Sequence, residues 1–311
     1  MRKIYLYGLL LIVMISWGLN VVAIKILVEN FPPFTITALR ILAAGLVIFV
    51  FLYIRKDIQK VNLQEFGYVT LSALTGIFGH QAFLAIGLLN TSATNGASIL
   101  ALIPLVTTIL AAILLKAKIT RLKISGVILG LIGIYFILVF GSGSFSKLSI
   151  GDFYVFLSVI AQALSFIFIR KASYTLNTKT ITSYSLLMGA GFLMLLSIGI
   201  EQNTIPAITE GPGYAWLILI ASAIISTGFG NLFYNYAIQQ IGPGETAVFL
   251  NLTPFFSLTG SVLFLNEEIR LVQIVGFILI VVGVLLSTEL FERKTKRVKE
   301  ASVSVVKSID S

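Results

Sequence analysis

Residues 94–115 of the chain read TNGASILALIPLVTTILAAILL, an apolar run with Pro104 near its centre. The same arrangement recurs at residues 244–265, GETAVFLNLTPFFSLTGSVLFL, where Pro254 stands 150 positions after Pro104. Each run has the roughly 20 mostly apolar residues that a helix needs to cross about 30 Å of hydrocarbon. The two runs therefore predict a membrane protein whose second half repeats the first.

The duplication extends beyond these two runs. At the same offset Gly126 aligns with Gly276, and at an offset of 145 the Thr-Ile-Thr triplet at 35–37 aligns with the one at 180–182. Shared hydrophobicity gives chance Leu and Ile matches, whereas prolines and glycines in register are harder to obtain that way. We therefore predict two repeats of five spans each. Because five is odd, the second repeat enters the membrane from the opposite side and is inverted.

The composition also indicates a bilayer environment. Hydrophobic residues make up 57% of the 311 residues and charged residues 11%, against roughly 25% charged in soluble domains. The sequence thus predicts an all-α integral membrane protein with ten transmembrane helices. They are expected near residues 4–27, 33–54, 66–88, 94–115, 124–140, 152–170, 181–200, 214–237, 244–265 and 270–290.

Lys and Arg are unequally distributed between the two sides of these spans. The segments assigned to the cytoplasm hold most of them, whereas the external segments contain only Lys25, Lys147 and Arg270. Because basic loops resist translocation, both termini are predicted to be cytoplasmic in a multi-pass protein of the cell membrane. The predicted units are a first five-helix repeat at 1–145, a second, inverted five-helix repeat at 146–292, and a basic cytoplasmic tail at 293–311 that is expected to be disordered.

Several function classes are disfavoured by the residue counts and motifs. The chain has no cysteine and one histidine, and it contains no HExxH motif, no GxSxG motif and no pair of membrane-embedded aspartates. We therefore predict no enzyme activity, no metal and no cofactor. The formal net charge is +9, but the basic residues lie between apolar runs, where lipid headgroups explain them. The bilayer, and no nucleic acid, is the expected partner.

A site between two inverted repeats should draw polar side chains from equivalent positions in both. Several polar residues within the predicted spans meet this condition, or share a helical face with one that does. Such side chains could satisfy a small zwitterion by hydrogen bonding; the alternative is that they are polar contacts between helices. The predicted cavity residues are Trp17 and Asn20, which align with Gln162 and Ser165; Gln81, which aligns with Asn231; and Tyr234 and Asn235, on the face of Asn231.

Two further candidates are ionisable residues inside spans. Arg40 is the only basic residue well inside a span, and it either clamps a substrate carboxylate or binds helix carbonyls and locks helices together. His80 lies slightly outward of the centre of the third span, where it either accepts a proton or is a buried, hydrogen-bonded structural histidine. Glu245 begins the ninth span, where the positive helix end favours a structural role over proton coupling.

The two central prolines are candidate gating residues. Proline lacks an amide donor, so Pro104 and Pro254 should leave the carbonyls of Leu100 and Leu250 without their usual partners. We expect each helix to kink there. Exposed carbonyls at a kink can face a water-filled path, although neighbouring helices can also satisfy them.

The predicted arrangement is two inverted sets of five spans, and four of the ten spans contain a short motif. These motifs are Trp17-Gly18, Arg40, Pro104 and Pro254, the two prolines being followed by glycine-rich spans. In this whole arrangement the chain resembles the EamA family of the drug/metabolite transporter superfamily, over roughly residues 4–290. The resemblance implies export of small metabolites, often amino acids, through a central cavity lined by spans 1, 3, 4, 6, 8 and 9. Gln162 departs from the family pattern, in which an aromatic residue is common.

We therefore predict a transporter that exports small metabolites, such as amino acids or related compounds, by alternating access between the two repeats. A small-molecule substrate and the lipid bilayer are its expected partners. The alternative is a passive channel or facilitator for small polar solutes. The identity of the substrate, the coupling ion and the oligomeric state stay open at this point.

Overall fold

The computed structural model of the chain describes residues 3–114, 121–140, 149–201, 209, 211–241, 249–250 and 252–287. Every regular element within these ranges is helical. The first half contains α1 (Lys3–Asn30), α2 (Pro33–Ile54), α3 (Leu63–Ser72), the π-helical segment π1 (Ala73–Gly79), α4 (His80–Leu89), α5 (Ala93–Leu100), α6 (Ile103–Leu114) and α7 (Arg121–Phe140). The second half contains α8 (Ile150–Ala172), α9 (Thr178–Ile200), α10 (Gly213–Ala221), the π-helical segment π2 (Ser222–Phe229), α11 (Gly230–Ile241), α12 (Thr253–Leu265) and α13 (Leu271–Ser287).

Six helical stretches in the described part of the chain are long and apolar enough to cross a membrane, and four shorter apolar helices accompany them. The six coincide with the first, second, third, sixth, seventh and eighth predicted spans, and the shorter helices coincide with the other four. The all-helical membrane architecture is therefore confirmed. The count of ten and the inversion stay predictions, and the predicted tail at 293–311 lies outside the described residues.

Polar residues at the ends of the apolar runs determine where several helices begin. The Asn62 side chain accepts a hydrogen bond from the Glu65 amide at 2.9 Å, and the Glu65 carboxylate accepts one from the Asn62 amide at 2.8 Å. This reciprocal capping box starts α3. In the second half, Asn177 caps α9 by accepting from the Thr180 amide at 2.7 Å.

Helices α7 and α13 pack against each other through glycines that the two halves share. A Cβ atom added to Gly133 would lie 2.5 Å from the carbonyl oxygen of Gly276. A Cβ atom added to Gly283 would lie 2.5 Å from the carbonyl oxygen of Gly126. Only glycine permits this backbone approach, so these small residues join the two halves within one chain.

Each half contains a helix break just before its central proline, where the sequence predicts only a kink. In the first half α5 ends at Leu100 and α6 begins at Ile103, with a turn in which the Leu102 amide donates to the Ile99 carbonyl at 3.0 Å. The equivalent Leu252 amide donates to the Phe249 carbonyl at 2.9 Å, and α12 begins at the next residue. Proline is favoured in the first turn of a helix, which is why a new helix starts there instead of a bent one continuing.

The segments π1 and π2 interrupt the third and eighth predicted spans. They occupy the same place in the two halves, because residues 73–79 align with 223–229 at the 150-residue offset. A π-helix is rare and is frequently found at functional sites. Nothing in the residue patterns predicts either segment.

Candidate functional site

A cavity of about 210 Å³ lies in the middle of the bundle. Its wall is mostly apolar, with polar side chains from both halves. Arg40 is not part of the wall, and the side chain of Asn235 lies outside the described residues. The remaining predicted site residues all line the cavity: Trp17, Asn20, His80, Gln81, Pro104, Gln162, Ser165, Asn231, Tyr234 and Pro254.

The irregular parts of the backbone surround this cavity. Leu100, Ala101 and Ile103 line it at the first helix break, and Leu250 and Thr253 line it at the second. Both π-helical segments also contribute wall residues. Non-helical backbone is tolerated at membrane depth only where it is buried in protein or faces a water-filled cavity. The breaks and the cavity are therefore physically linked.

Helix α1 contacts π2 through an indole and two hydroxyls. The Trp17 Nε1–H donates to the backbone carbonyl of Ser226 at 2.8 Å, and the Ser16 and Ser226 hydroxyls lie 2.6 Å apart. The Trp17 ring packs against Tyr234 with ring centroids 5.0 Å apart. A Cβ atom on Gly230 would lie 2.5 Å from Trp17 Nε1, so this glycine makes room for the indole.

Helix α8 makes the equivalent contact with π1. Gln162 Nε2 donates to Ser165 Oγ at 3.2 Å, and Ser165 Oγ donates to the backbone carbonyl of Gln162 at 2.8 Å. Ser165 lies so close to Gly76 that a Cβ atom there would overlap it. Ser226 aligns with Gly76, and Ser165 lies one helical turn after Gln162, the residue that aligns with Trp17, so the two halves bring corresponding helices together.

Arg40 lies behind the cavity wall, where it is 1% exposed. Its Nη2 donates to Gln81 Oε1 at 2.6 Å, and its Nη1 donates to Thr227 Oγ1 at 3.1 Å and to Ser222 Oγ at 3.4 Å. The guanidinium thus connects α2 with α4 and π2. Of the two predicted roles, this geometry matches the locking of helices, although the partners are side chains and not the expected backbone carbonyls.

His80 has features that fit each of its two predicted roles. Its Nδ1 lies 3.0 Å from the backbone carbonyl of Ser158. Because a carbonyl can only accept, Nδ1 is the protonated nitrogen, and the ring is hydrogen-bonded as a structural histidine would be. The same ring lines the cavity. Whether it exchanges a proton stays a prediction.

Several wall residues are missing from the sequence-based set. Hydroxyls on α3, α9 and π2 line the cavity, and the Ser72 and Ser185 hydroxyls lie 2.7 Å apart. Serine and threonine are common in membrane helices, so their presence alone does not distinguish wall residues from helix contacts. A signal existed for Ser185, which aligns with Arg40 at the 145-residue offset. The wall hydroxyls outside the predicted set are Ser72, Thr182, Ser185, Ser226, Thr227, Thr253 and Ser257.

At one end of the bundle, two carboxylates accept hydrogen bonds from the first amides of helices. We call this end, where α1 ends and α2 begins, the clamp end. Glu201 accepts from the amides of Phe34 and Thr35, each at 2.8 Å. Glu267 accepts from the amides of Ala93 and Thr94 at 2.8 and 2.9 Å. A carboxylate at the positive end of a helix is stabilising. The two contacts join α9 to α2 and the end of α12 to α5.

A bundle of apolar helices with breaks around a central cavity that carries polar side chains is the arrangement expected of a multi-pass membrane transporter. The family model described as the EamA-like transporter family matches residues 4–139 and 149–288. The chain therefore belongs to the EamA-like transporter family, and each half of the chain matches the model once. This finding places it in the drug/metabolite transporter superfamily.

Relatives along the whole chain agree with this assignment. The uncharacterized transporter YyaM of Bacillus subtilis is 29% identical, over 97% of this chain and 99% of its own length. The uncharacterized transporter YoaV of the same organism is 25% identical, over 91% and 96% respectively. A crystal structure of another protein shares the fold with a TM-score of 0.68 at 18% identity, over 93% of this chain and 98% of its own.

Proposed function

We propose that this transporter exports small metabolites, amino acids or related compounds, by alternating access between two inverted five-helix repeats. The observation that supports this proposal is a matched pair of helix contacts at the cavity, Trp17 of α1 with Ser226 of π2 and Ser165 of α8 with Gly76 of π1. Two halves that present related surfaces to one site can exchange conformations and expose the site to each side in turn.

The clamp end is proposed to be the external side, with both termini in the cytoplasm. Helices α2 and α9 are tied there by Glu201, and at the other end by an ion pair of 2.9 Å between Lys179 and Asp57. These two helices therefore form one unit. Helix α5 and the end of α12 are tied by Glu267. We propose that this second contact closes the external side, so that the cavity faces the cytoplasm.

Reporter fusions test this orientation. Reporters fused after Lys123 and after Ser308 should read cytoplasmic, and a reporter fused after Glu268 should read external, because Lys and Arg dominate the proposed cytoplasmic segments. An external reading at Ser308 would reject the proposed span count and the inversion together.

A counterflow experiment tests the transport mode. Proteoliposomes loaded with each of the common L-amino acids in turn should accumulate the labelled form of a transported one against its gradient, and the rate should saturate. A matched pair of glycine variants supplies the control. Gly76→Val places a side chain against Ser165 at the cavity and should abolish counterflow, whereas Gly8→Val enters open space and should not.

The alternative function, a passive channel for small polar solutes, predicts flux without saturation and without counterflow.

Export in cells is tested with growth on toxic amino acid analogues. Overexpression should protect cells against an analogue of the exported compound, and the Gly76→Val variant should give no protection. Sensitisation instead of protection would indicate uptake and would contradict the proposed direction.

A further inference from the structure

The hydrogen bonds that a polar side chain already makes decide which of its atoms remain for a ligand. Arg40 has only N–H donors, so the Gln81 atom that lies 2.6 Å from its Nη2 is the carbonyl oxygen Oε1. The Gln81 amide nitrogen, with two N–H donors, is then the group left for the cavity that Gln81 lines. Arg40 itself does not line the cavity, yet it fixes the orientation of a side chain that does.

Ser222 extends the same constraint to Asn20. The Ser222 hydroxyl accepts from Arg40 Nη1 at 3.4 Å and donates its own hydrogen to Asn20 Oδ1. The Asn20 amide nitrogen is therefore left as a second donor in the cavity wall. Two amide NH₂ groups held by one guanidinium form a donor pair in a region of positive charge, which is complementary to a carboxylate.

The amide of Gln162, on the α8 wall, has the opposite orientation. Its Nε2 donates to Ser165 Oγ at 3.2 Å, because the Ser165 hydroxyl donates its own hydrogen to the backbone carbonyl of Gln162. The Gln162 Oε1 atom is therefore left as an acceptor in the wall. No basic residue stands at the position equivalent to Arg40, which is Ser185. The positive charge is thus confined to the Arg40 side of the cavity.

We propose that Arg40 is a positioning residue that turns the amides of Gln81 and Asn20 into a donor pair for the carboxylate of the substrate, while Gln162 Oε1 accepts from its ammonium group. This inference rests on the proposed function and deepens it. The ligand class is a small zwitterion, bound in one orientation. The recognition of the carboxylate is carried out by neutral amides, with Arg40 acting through them.

An isosteric substitution at two positions separates this proposal from a purely structural role. Gln81→Glu keeps the oxygen that Arg40 contacts and replaces the NH₂ donor with a second oxygen. Gln162→Glu keeps the acceptor oxygen in the wall and removes only the bond to Ser165. Both variants add one negative charge and no volume, so each is the control for the other.

The measurement is binding to the purified full-length protein in detergent, with melting of the same samples. Binding of the common L-amino acids to the native protein identifies the best ligand, and its carboxyl amide and its N-acetyl derivative are then compared with it. Gln81→Glu should weaken binding of the amino acid by at least about tenfold, because the substrate carboxylate would then face the oxygens of the new side chain instead of an NH₂ donor. It should strengthen binding of the cationic amide. Gln162→Glu should instead strengthen binding of the amino acid, because the added negative charge would lie beside its ammonium group.

The melting temperature provides the readout that a structural role would not share. The ion pair with Arg40 should keep Gln81→Glu at least as stable as the native protein while its affinity falls. Asn20→Asp, which keeps the oxygen that Ser222 contacts, is the second variant and should show the same loss of affinity.

Each failure has a different meaning. If the native protein binds none of the amino acids, the proposed substrate class is wrong. If the native protein binds one and folded Gln81→Glu and Asn20→Asp bind it equally well, the donor pair is wrong and the proposed function stands. Equal losses in Gln81→Glu and Gln162→Glu would also overturn the proposal, because added charge alone would then explain both.

Discussion

A guanidinium at the centre of a membrane helix costs at least about 2.5–3.5 kcal/mol on insertion scales. Arg40 offsets this cost with neutral partners, Gln81, Ser222 and Thr227. It forms no ion pair with any residue that the structure describes. The charge therefore stays in the membrane as a source of positive potential, and its three partners on two other elements hold it in place.

Arg40→Met should lower the stability of the folded protein by about 1–3 kcal/mol, because three polar partners lose their donor while buried. Melting in detergent measures this loss. Arg40→Lys keeps the charge but cannot reproduce the planar fork, so a smaller loss is expected. Native melting of Arg40→Met would contradict the role of the guanidinium in joining α2 to α4 and π2.

The candidate site shows how far single residues can be predicted. Aligning the two halves predicts Trp17, Gln81, Gln162 and Asn231, and all four line the cavity; their role in binding stays a prediction. The place of Arg40 behind the wall was not predictable. Its depth along the helix is set by sequence position, but the face it presents depends on how α2 packs against its neighbours.

The irregular elements all contribute to the cavity wall, beside the regular helices α1, α8 and α9, and their irregularities occur in matched pairs. The turns at Leu102 and Leu252 have the same hydrogen-bond pattern, and each is followed by a proline in the first turn of the next helix. The regular helices α7 and α13 pack closely against each other. The pair α7 and α13 thus joins the halves without contributing to the cavity wall, whereas every broken element contributes to it.

Pro104→Ala and Pro254→Ala should each allow the break to close into a continuous helix, because alanine supplies the missing amide and the best helix propensity. A straightened helix favours one facing state, so counterflow should fall more than the amount of protein in the membrane. The double variant should be no better than either single one. Native transport rates in both single variants would show that the prolines serve packing alone.

Gly133→Val should separate α7 from α13 because its side chain would overlap the Gly276 backbone. We expect a fall in melting temperature equivalent to about 1–3 kcal/mol, the usual cost of overpacking. Gly199→Val is the matched control, since a Cβ atom there meets no atom within 4 Å. Equal melting of the two variants would contradict the proposed role of the shared glycines.

At the level of elements, the sequence predicts position better than shape. Apolar run length located the helices, since the bilayer thickness fixes how long a spanning helix must be. It did not predict the breaks, because a proline is compatible with either a bent helix or a restarted one. The π-helical segments have no signal in the residue patterns, and the residues that contact them, such as Trp17 and Ser165, lie on other helices.

For the whole molecule, the two halves are joined at the clamp end by carboxylates that reach across to helix starts. Glu267 binds the first amides of α5, and the neighbouring hydroxyls of Thr94 and Ser261 lie 2.8 Å apart. In the proposed mechanism, in which the clamp end is the external side, opening this side of the cavity requires α5 to separate from α12. The strength of the Glu267 contact therefore contributes to the balance between the two facing states.

Glu267→Gln should shift that balance by roughly tenfold toward the externally open state, because an amide replaces a carboxylate that accepts two amide hydrogen bonds. The chain has no native cysteine, so Ala97→Cys in the wall of the cavity can report access. Labelling by a membrane-impermeant maleimide from outside cells should become faster. Glu268→Gln, at the exposed adjacent position, is the control and should leave the labelling rate unchanged. If Glu267→Gln labels at the same rate as the protein with the native Glu267, then Glu267 does not close the external side.

The matched π-helical segments also decide which side chains the following helices turn toward the cavity. A π-helical turn contains one residue more than an α-helical turn, and each residue advances a helix by about 100°. Deleting Ala73 should therefore restore a regular helix and rotate His80 and Gln81 away from the cavity.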